Sequence, residues 1–246
     1  MARLSSAELR TRLAFDCRVM CGLRSEALGP IRAFVSDEAL RAGLEATPEE
    51  CEAGRAGLII VEYCFPILIG AGKTTPLVRA KFDLLAGGNY PYSAPAATCL
   101  GAPLPWSPHV HPTSGTVCLG DGWAHARGRM LAAQLVVHVM RLLNCDEPDR
   151  GSDYGGWNPP AAHYWRAVLG RRPLNPDLLY PVLPADVTHA VDDENSGFRV
   201  ASAGATSNDS LLGVPAGIFE PISLDAIFLP ASDPDGGGFQ PFRGDR

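Results

Sequence analysis

The stretch GLIIVEYCFPILIGAGKTTPLVRAKFDLLAGGNYPYSAPAATCL, residues 57–100, decides the fold class of this chain. It contains an apolar run from Gly57 to Gly72, an alternating run from Thr75 to Leu85, and a short run from Ala96 to Leu100, all with the composition of β-strands. Glycine-rich turns separate the runs, and connections this short join antiparallel neighbours. The stretch therefore predicts an antiparallel β-meander.

Helical patterns lie on both sides of this meander. Ser5 and Glu8 form a capping box, which predicts a first helix over about residues 6–22. Apolar residues at helical spacing predict a second helix over 128–143, and Asn158 ahead of two prolines predicts the N-cap of a third. Between the first helix and the meander the pattern is ambiguous: Ile31 to Val35 fits a short strand, and Ser36 to Leu44 fits a short capped helix.

The charge of the chain is uneven. The net charge is −6, but residues 1–184 carry 18 basic and 17 acidic side chains, whereas residues 185–246 carry 3 basic and 10 acidic ones. A nearly neutral body argues against nucleic acid as a partner, because phosphate binding needs clustered cations. We therefore expect a folded domain over residues 1–184, followed by an acidic, largely extended tail over residues 185–246.

The location of the protein is indicated by its cysteines and its apolar runs. No run reaches the roughly 18 apolar residues of a membrane span, and the first residues lack the apolar core of a secretory signal. The seven cysteines are odd in number and contain no Cys-x-x-Cys pair, which is typical of reduced thiols. These features predict a cytoplasmic protein without a membrane partner.

The side chains most capable of chemistry lie in one loop over residues 101–127. It contains four prolines, two tryptophans, three histidines and Cys118. A thiol near imidazoles, here His109 and His111, can act as a nucleophile. Zinc ligation by the same three side chains is an alternative, although no second ligand pair has the usual spacing. A Cys–His hydrolase is another, although no residue stands out to orient the histidine.

The order of motifs around this loop resembles the core of ubiquitin-conjugating enzymes over about residues 5–170. The matching motifs are Tyr90-Pro91-Tyr92, Ala94-Pro95, His111-Pro112, Gly115-x-x-Cys118-Leu119, Trp123, the Asp-Glu-Pro-Asp stretch 146–149 and Asn158-Pro159-x-Ala161-Ala162. The resemblance implies an α+β, UBC-like fold, in which an antiparallel β-meander is flanked by an N-terminal helix and two or more C-terminal helices.

The resemblance also implies a function. In that family a cysteine, here Cys118, accepts a ubiquitin-like protein from an activating enzyme as a thioester and transfers it to an amine of a target protein. The reaction needs no metal or organic cofactor. The shortened loop is most similar to bacterial ubiquitin-like conjugation systems, with antiphage defence among their roles. The alternative is a non-catalytic UBC-fold module that binds a ubiquitin-like protein or scaffolds an activating enzyme.

One family residue is absent from this chain. The family places an asparagine after the His-Pro pair, where its amide stabilises the oxyanion or the loop, but here Thr113 follows His111-Pro112. Because one oxyanion donor typically contributes about 2.7–4 kcal/mol to catalysis, a replacement is expected. His109, His111 and Thr113 are the candidates.

The resemblance implies two further groups of site residues. The family uses an acidic side chain beyond the second helix to orient the incoming amine, and Asp149 fits that segment best. Its first helix docks on the activating enzyme, which makes Arg10, Arg12 and Arg18 candidates for partner binding. All three arginines fall off the apolar stripe of the helix, so we expect them to be exposed.

Overall fold

The computed structural model describes residues 3–119, 130–146, 156–181 and 183. Its elements are α1 (Ser6–Gly22), β1 (Leu28–Phe34), α2 (Asp37–Ala42), α3 (Pro48–Glu52), β2 (Leu58–Tyr63), β3 (Ile67–Gly70), β4 (Lys73–Thr75), β5 (Val78–Asp83), β6 (Ala96–Leu100), α4 (Ala132–Leu143) and α5 (Pro159–Ala167). Within these ranges, no helix combines the length and apolar character needed to cross a bilayer. The acidic tail predicted over residues 185–246 lies outside the described residues.

The first helix begins and ends as its sequence predicts. The Ser5 backbone N–H donates to the Glu8 carboxylate at 2.8 Å, and the Glu8 N–H donates to the Ser5 hydroxyl at 3.3 Å. This reciprocal pair satisfies N–H groups that have no partner inside the helix. Leu13, Cys17 and Met20 are buried along one face. The capping box and the apolar stripe of α1 are thus confirmed.

Four strands form one antiparallel sheet in the order β1-β2-β5-β6. Val78, Ala80 and Phe82 point into the core from β5, while the residues between them face outward. β3 and β4 pair separately as a hairpin between β2 and β5. The antiparallel prediction is confirmed, but the apolar run that begins at Gly57 is two strands. Pro66, which has no N–H for a ladder, lies between them.

The helix α4 lies against the inner face of this sheet. Nine of its twelve residues are buried, and the Tyr63 hydroxyl of β2 donates to the Val136 carbonyl at 3.0 Å. Met130 and Leu131 precede the helix, which therefore begins later than its apolar pattern predicted. Asn158 holds the N-cap position of α5 as predicted, but its side chain makes no capping hydrogen bond.

The prediction that Arg12 is exposed is wrong. Arg12 is only 3% exposed, and its guanidinium pairs with the buried carboxylate of Asp16 one turn along α1. It also donates to the Met130 carbonyl, and its guanidinium carbon lies 5.6 Å from the centre of the Tyr90 ring. Asp16 in turn accepts from the Tyr90 hydroxyl and, at 3.0 Å, from the N–H of Ala132. Arg12 therefore ties α1 to the start of α4 and is no candidate for partner binding.

Candidate functional site

The candidate nucleophile Cys118 lies on a short antiparallel ribbon that follows β6. The His111 N–H donates to the Thr116 carbonyl at 2.9 Å, and the Cys118 N–H donates to the His109 carbonyl at 2.8 Å. Val110 and Val117 form the bridge between these two hydrogen bonds. This register places His109 directly opposite Cys118.

The ribbon has one buried face and one half-buried face. Val110 and Val117 point into the core, so the side chains of their neighbours point the other way. Residues opposite each other in such a hydrogen-bonded pair have Cα atoms about 5.5 Å apart. His109 and Cys118, both half-buried, therefore project from the same face as close neighbours. The structure thus brings together two of the residues that the sequence singled out.

Gly115 attaches this ribbon to the edge of the main sheet. The Cys99 N–H of β6 donates to the Gly115 carbonyl at 2.8 Å, and the Val117 N–H donates to the Ala97 carbonyl at 2.9 Å. Gly115 has a φ of +70°, and a Cβ there would lie 2.5 Å from the carbonyl oxygen of Cys99. Only glycine accommodates both the dihedral and the close approach. The Gly-x-x-Cys spacing thereby sets the position of Cys118 relative to the sheet.

His111 holds the tip of the ribbon. Its Nδ1 accepts a hydrogen bond from the Ser114 N–H at 3.3 Å and lies 3.2 Å from the Thr113 hydroxyl. Its ring meets that of Trp157 edge-on, with 6.2 Å between the centroids. Because Nδ1 accepts from the backbone, the neutral imidazole carries its proton on Nε2. His111 lies on the same face as Cys118 but one diagonal step away, about 7–8 Å.

The segment before α5 packs against the other end of the ribbon. The N–H groups of Trp157 and Asn158 both donate to the Pro108 carbonyl, at 2.9 and 3.2 Å. Gly156, with a φ of +56°, lies so close that a Cβ would come within 2.5 Å of the same oxygen. The chain is therefore held immediately before His109 as well as after it.

His138 belongs to this site and was not predicted from the sequence. It projects from α4, and its side chain hydrogen-bonds to the backbone of Leu119, the residue after Cys118. Burial is the main reason that its pKa falls to about 4, and electrostatic interactions with His109 and Arg141 add to that shift. His138 is therefore neutral near pH 7. The overlooked signal is its position three residues after Leu135 and four before Leu142, on the apolar stripe of the helix.

The remaining predicted residues are not brought to the ribbon. Asp149 lies outside the described residues. Arg10 and Arg18 are exposed on α1, and the Arg18 guanidinium carbon lies 5.7 Å from the centre of the Phe15 ring. Asp146, at the end of the described residues before Asp149, pairs with Arg141 at 3.5 Å.

No protein-family model matches the chain, and no curated protein or solved structure matches it either. In the part of the chain that the structure describes, no group of three or more His, Cys, Asp or Glu side chains is arranged to hold a metal ion. The ribbon that carries Cys118 has His109 opposite the thiol and His111 one diagonal step away, and His138 bonds the backbone of Leu119.

Proposed function

We propose that this chain is a UBC-like conjugating enzyme that carries a ubiquitin-like protein as a thioester on Cys118. The observation that carries the proposal is the register of the ribbon, which places the half-buried thiol opposite His109. The order of an N-terminal helix, an antiparallel sheet, a cysteine-bearing loop and further helices supports it. The motif resemblance extends it to a bacterial conjugation pathway.

The chemistry takes two acyl transfers. In the first, the Cys118 sulfur attacks the thioester carbonyl that the activating enzyme presents, and the sulfur of that enzyme leaves. In the second, the amine of a target attacks the Cys118 thioester, loses a proton, and the Cys118 sulfur leaves. Both steps pass through a tetrahedral oxyanion, which preorganised N–H or O–H donors stabilise. No metal or organic cofactor takes part.

The histidines have separate roles in this proposal. In this proposal His109, opposite Cys118 in the ribbon, accepts the thiol proton in the first step and a proton from the attacking amine in the second. His111 carries its proton on Nε2 and is available as an oxyanion donor, while Thr113 helps to hold its ring. His138 acts through the backbone of Leu119 and is a positioning residue.

The partner surface in this proposal is reduced to the exposed side of α1. Arg10 and Arg18 remain candidates for contact with the activating enzyme, because both are exposed on that helix. Asp149 is retained as the acidic residue that orients the target amine, on the motif resemblance alone.

The test is a thioester assay on the full chain. Express the tagged protein in its native host, lyse the cells under denaturing, non-reducing conditions, and look for a higher-mass adduct that a thiol reductant removes. The adduct should disappear in Cys118→Ala and become resistant to reductant in Cys118→Ser, because an oxygen ester replaces the thioester. Cys64→Ala, which removes an exposed thiol outside the site, should retain the adduct.

The outcome separates the two functional hypotheses. An adduct that persists in Cys118→Ala would refute the proposal that Cys118 is the acyl carrier. If the wild type forms no adduct but co-purifies with a ubiquitin-like protein under native conditions, the non-catalytic binding module is the better description.

A further inference from the structure

Three thiols meet where α1 packs on α3, outside the site around Cys118. Cys17 is 1% exposed, and its thiol hydrogen-bonds with the thiols of Cys21, one turn further along α1, and Cys51 on α3. Cys21 and Cys51 are half-buried at the edge of the core. The end of α3 lies tightly on α1, since a Cβ at Gly54 would come within 2.0 Å of the Arg10 carbonyl oxygen. The proposed conjugation chemistry uses none of these thiols.

Cys21 is a thiol of this cluster that a small molecule reaches. It lines an open cavity of about 420 Å³, together with Arg24, Ser25 and residues at the start of β1. The hydrogen bond from Cys17 is the main reason that the pKa of Cys21 is lowered, and the Arg24 guanidinium adds to this effect, while burial and Glu45 oppose it. Because a thiolate is the reactive form, Cys21 is poised to act as a nucleophile.

The two neighbouring thiols have the opposite character. The pKa of Cys17 is raised, chiefly because its thiol is hydrogen-bonded to Cys21 and is buried, so it keeps its proton. The pKa of Cys51 is raised mainly by burial. The cluster therefore contains one reactive thiol, Cys21, and two protonated thiols, Cys17 and Cys51. Cys17 lies between the other two and interacts with both.

We propose that this cluster is an oxidation site for hydroperoxides, with Cys21 as the thiol that reacts first. The Cys21 thiolate attacks one peroxide oxygen, the O–O bond breaks, and the leaving oxygen takes up a proton as water (as an alcohol for an organic hydroperoxide). Cys21 is left as a sulfenic acid. The Cys17 sulfur then attacks the Cys21 sulfur, its proton and the sulfenic oxygen leave as water, and a Cys17–Cys21 disulfide forms.

The third thiol gives this first disulfide a route to a relaxed product. Neighbours four residues apart on a helix have Cβ atoms about 5–6 Å apart, whereas a disulfide needs about 3.5–4.5 Å. The Cys17–Cys21 bond is therefore strained, and strained disulfides exchange readily. Cys51, in contact with Cys17, attacks the Cys17 sulfur; Cys21 leaves and regains the proton that Cys51 loses. The product is a Cys17–Cys51 disulfide that joins α1 to α3.

The experiment treats the reduced full-length protein with a few equivalents of hydrogen peroxide and alkylates the remaining thiols. Peptide mapping without reductant should show Cys17 linked to Cys51, and dithiothreitol should reverse the link. Cys21→Ala should slow its formation severalfold, because it removes the thiol that reacts first. Cys51→Ala should leave a sulfenic acid at Cys21 or a Cys17–Cys21 disulfide. Cys64→Ala, the control for an exposed thiol elsewhere, should change neither rate nor product.

Circular dichroism before oxidation checks that each variant is folded, so a slow reaction reports on the thiol and not on the fold. A Cys17–Cys51 disulfide that forms as fast in Cys21→Ala as in the wild type would overturn the proposed order. Oxidation of Cys64 or Cys118 while the cluster stays reduced would overturn the site itself. Neither result depends on whether the chain carries a ubiquitin-like protein.

Discussion

Replacing Asp16 by alanine should destabilise the protein more than almost any other change to a single polar side chain. The carboxylate is 0% exposed and accepts hydrogen bonds from Arg12, from the Tyr90 hydroxyl and from the N–H of Ala132 at 3.0 Å. Burial alone would lower the pKa of Arg12, but the charge of Asp16 and the hydrogen bonds of Asp16 and Tyr90 outweigh it and the pKa is raised. Without Asp16, the buried guanidinium would have lost its counter-ion.

The expected magnitude follows from that loss. Removing one partner of a buried ion pair typically costs about 3–5 kcal/mol, against total stabilities of about 5–15 kcal/mol. Asp16→Asn, which keeps an acceptor for the Ala132 N–H but removes the charge, should cost less. Arg12→Met combined with Asp16→Ala should lose less than the two single changes added together, because it leaves no unpaired buried charge.

The measurement is urea unfolding of the full chain, followed by circular dichroism at 222 nm, with the free energy of unfolding extrapolated to water. The control is Glu38→Ala, which breaks the exposed ion pair with Arg41 and should leave the unfolding midpoint unchanged. If Asp16→Ala costs less than about 1 kcal/mol, or if the two single losses simply add in the double variant, Asp16 does not neutralise Arg12 as described.

Three further predictions concern the site and the tail. Because the pKa of His138 is lowered to about 4 in the folded state, the contribution of neutral His138 to the free energy of unfolding should be complete above pH 6.5 and decline as the pH drops toward 4. Between pH 7.5 and pH 5, urea titrations should show a loss of about 2 kcal/mol. His138→Gln should abolish this pH dependence. Gly115→Ala should abolish the Cys118 adduct and destabilise the fold. Gly88 has a similar φ of +68°, but a Cβ there would meet no atom within 4 Å, so Gly88→Ala should cost only backbone strain and retain the adduct. Equal effects of the two substitutions would contradict the ribbon geometry. Truncation after Pro184 should leave the Cys118 adduct in place, and its loss at every salt concentration would show that the acidic tail is part of the fold.

Sequence patterns predicted the elements whose stabilising interactions are local. The capping box of α1 joins residues three apart, and the strand over Ala96–Leu100 has the predicted bounds because its alternation and flanking turns are adjacent in the chain. Residues between α1 and β2 had no clear period, and they form β1, α2 and α3. These elements are short, so each depends on packing against α1 or the sheet more than on its own pattern.

The prediction from helical spacing was wrong for Arg12, and no pattern indicated the partner of His138. An arginine off the apolar stripe is normally exposed, but the carboxylate of Asp16 and the Met130 carbonyl hold Arg12 inside. His138 lies on the stripe of α4 as a polar exception, and the backbone of Leu119 is what it bonds. Met130 is 118 positions from Arg12 and Leu119 is 19 positions from His138, beyond any local period, whereas Asp16 lies one helical turn from Arg12.

The amino-acid sequence by itself determined the α+β class, the antiparallel sheet, and Cys118 as the thiol to consider, because periodicity, turn residues and short motifs are properties of neighbouring residues. Only the tertiary structure decided which side chains meet. The register of the ribbon sets His109 opposite Cys118, the packing of α4 brings His138 to Leu119, and the contact of α1 with α3 gathers three thiols. These juxtapositions come from pairing and packing between segments far apart in the chain, which no pattern within one segment encodes.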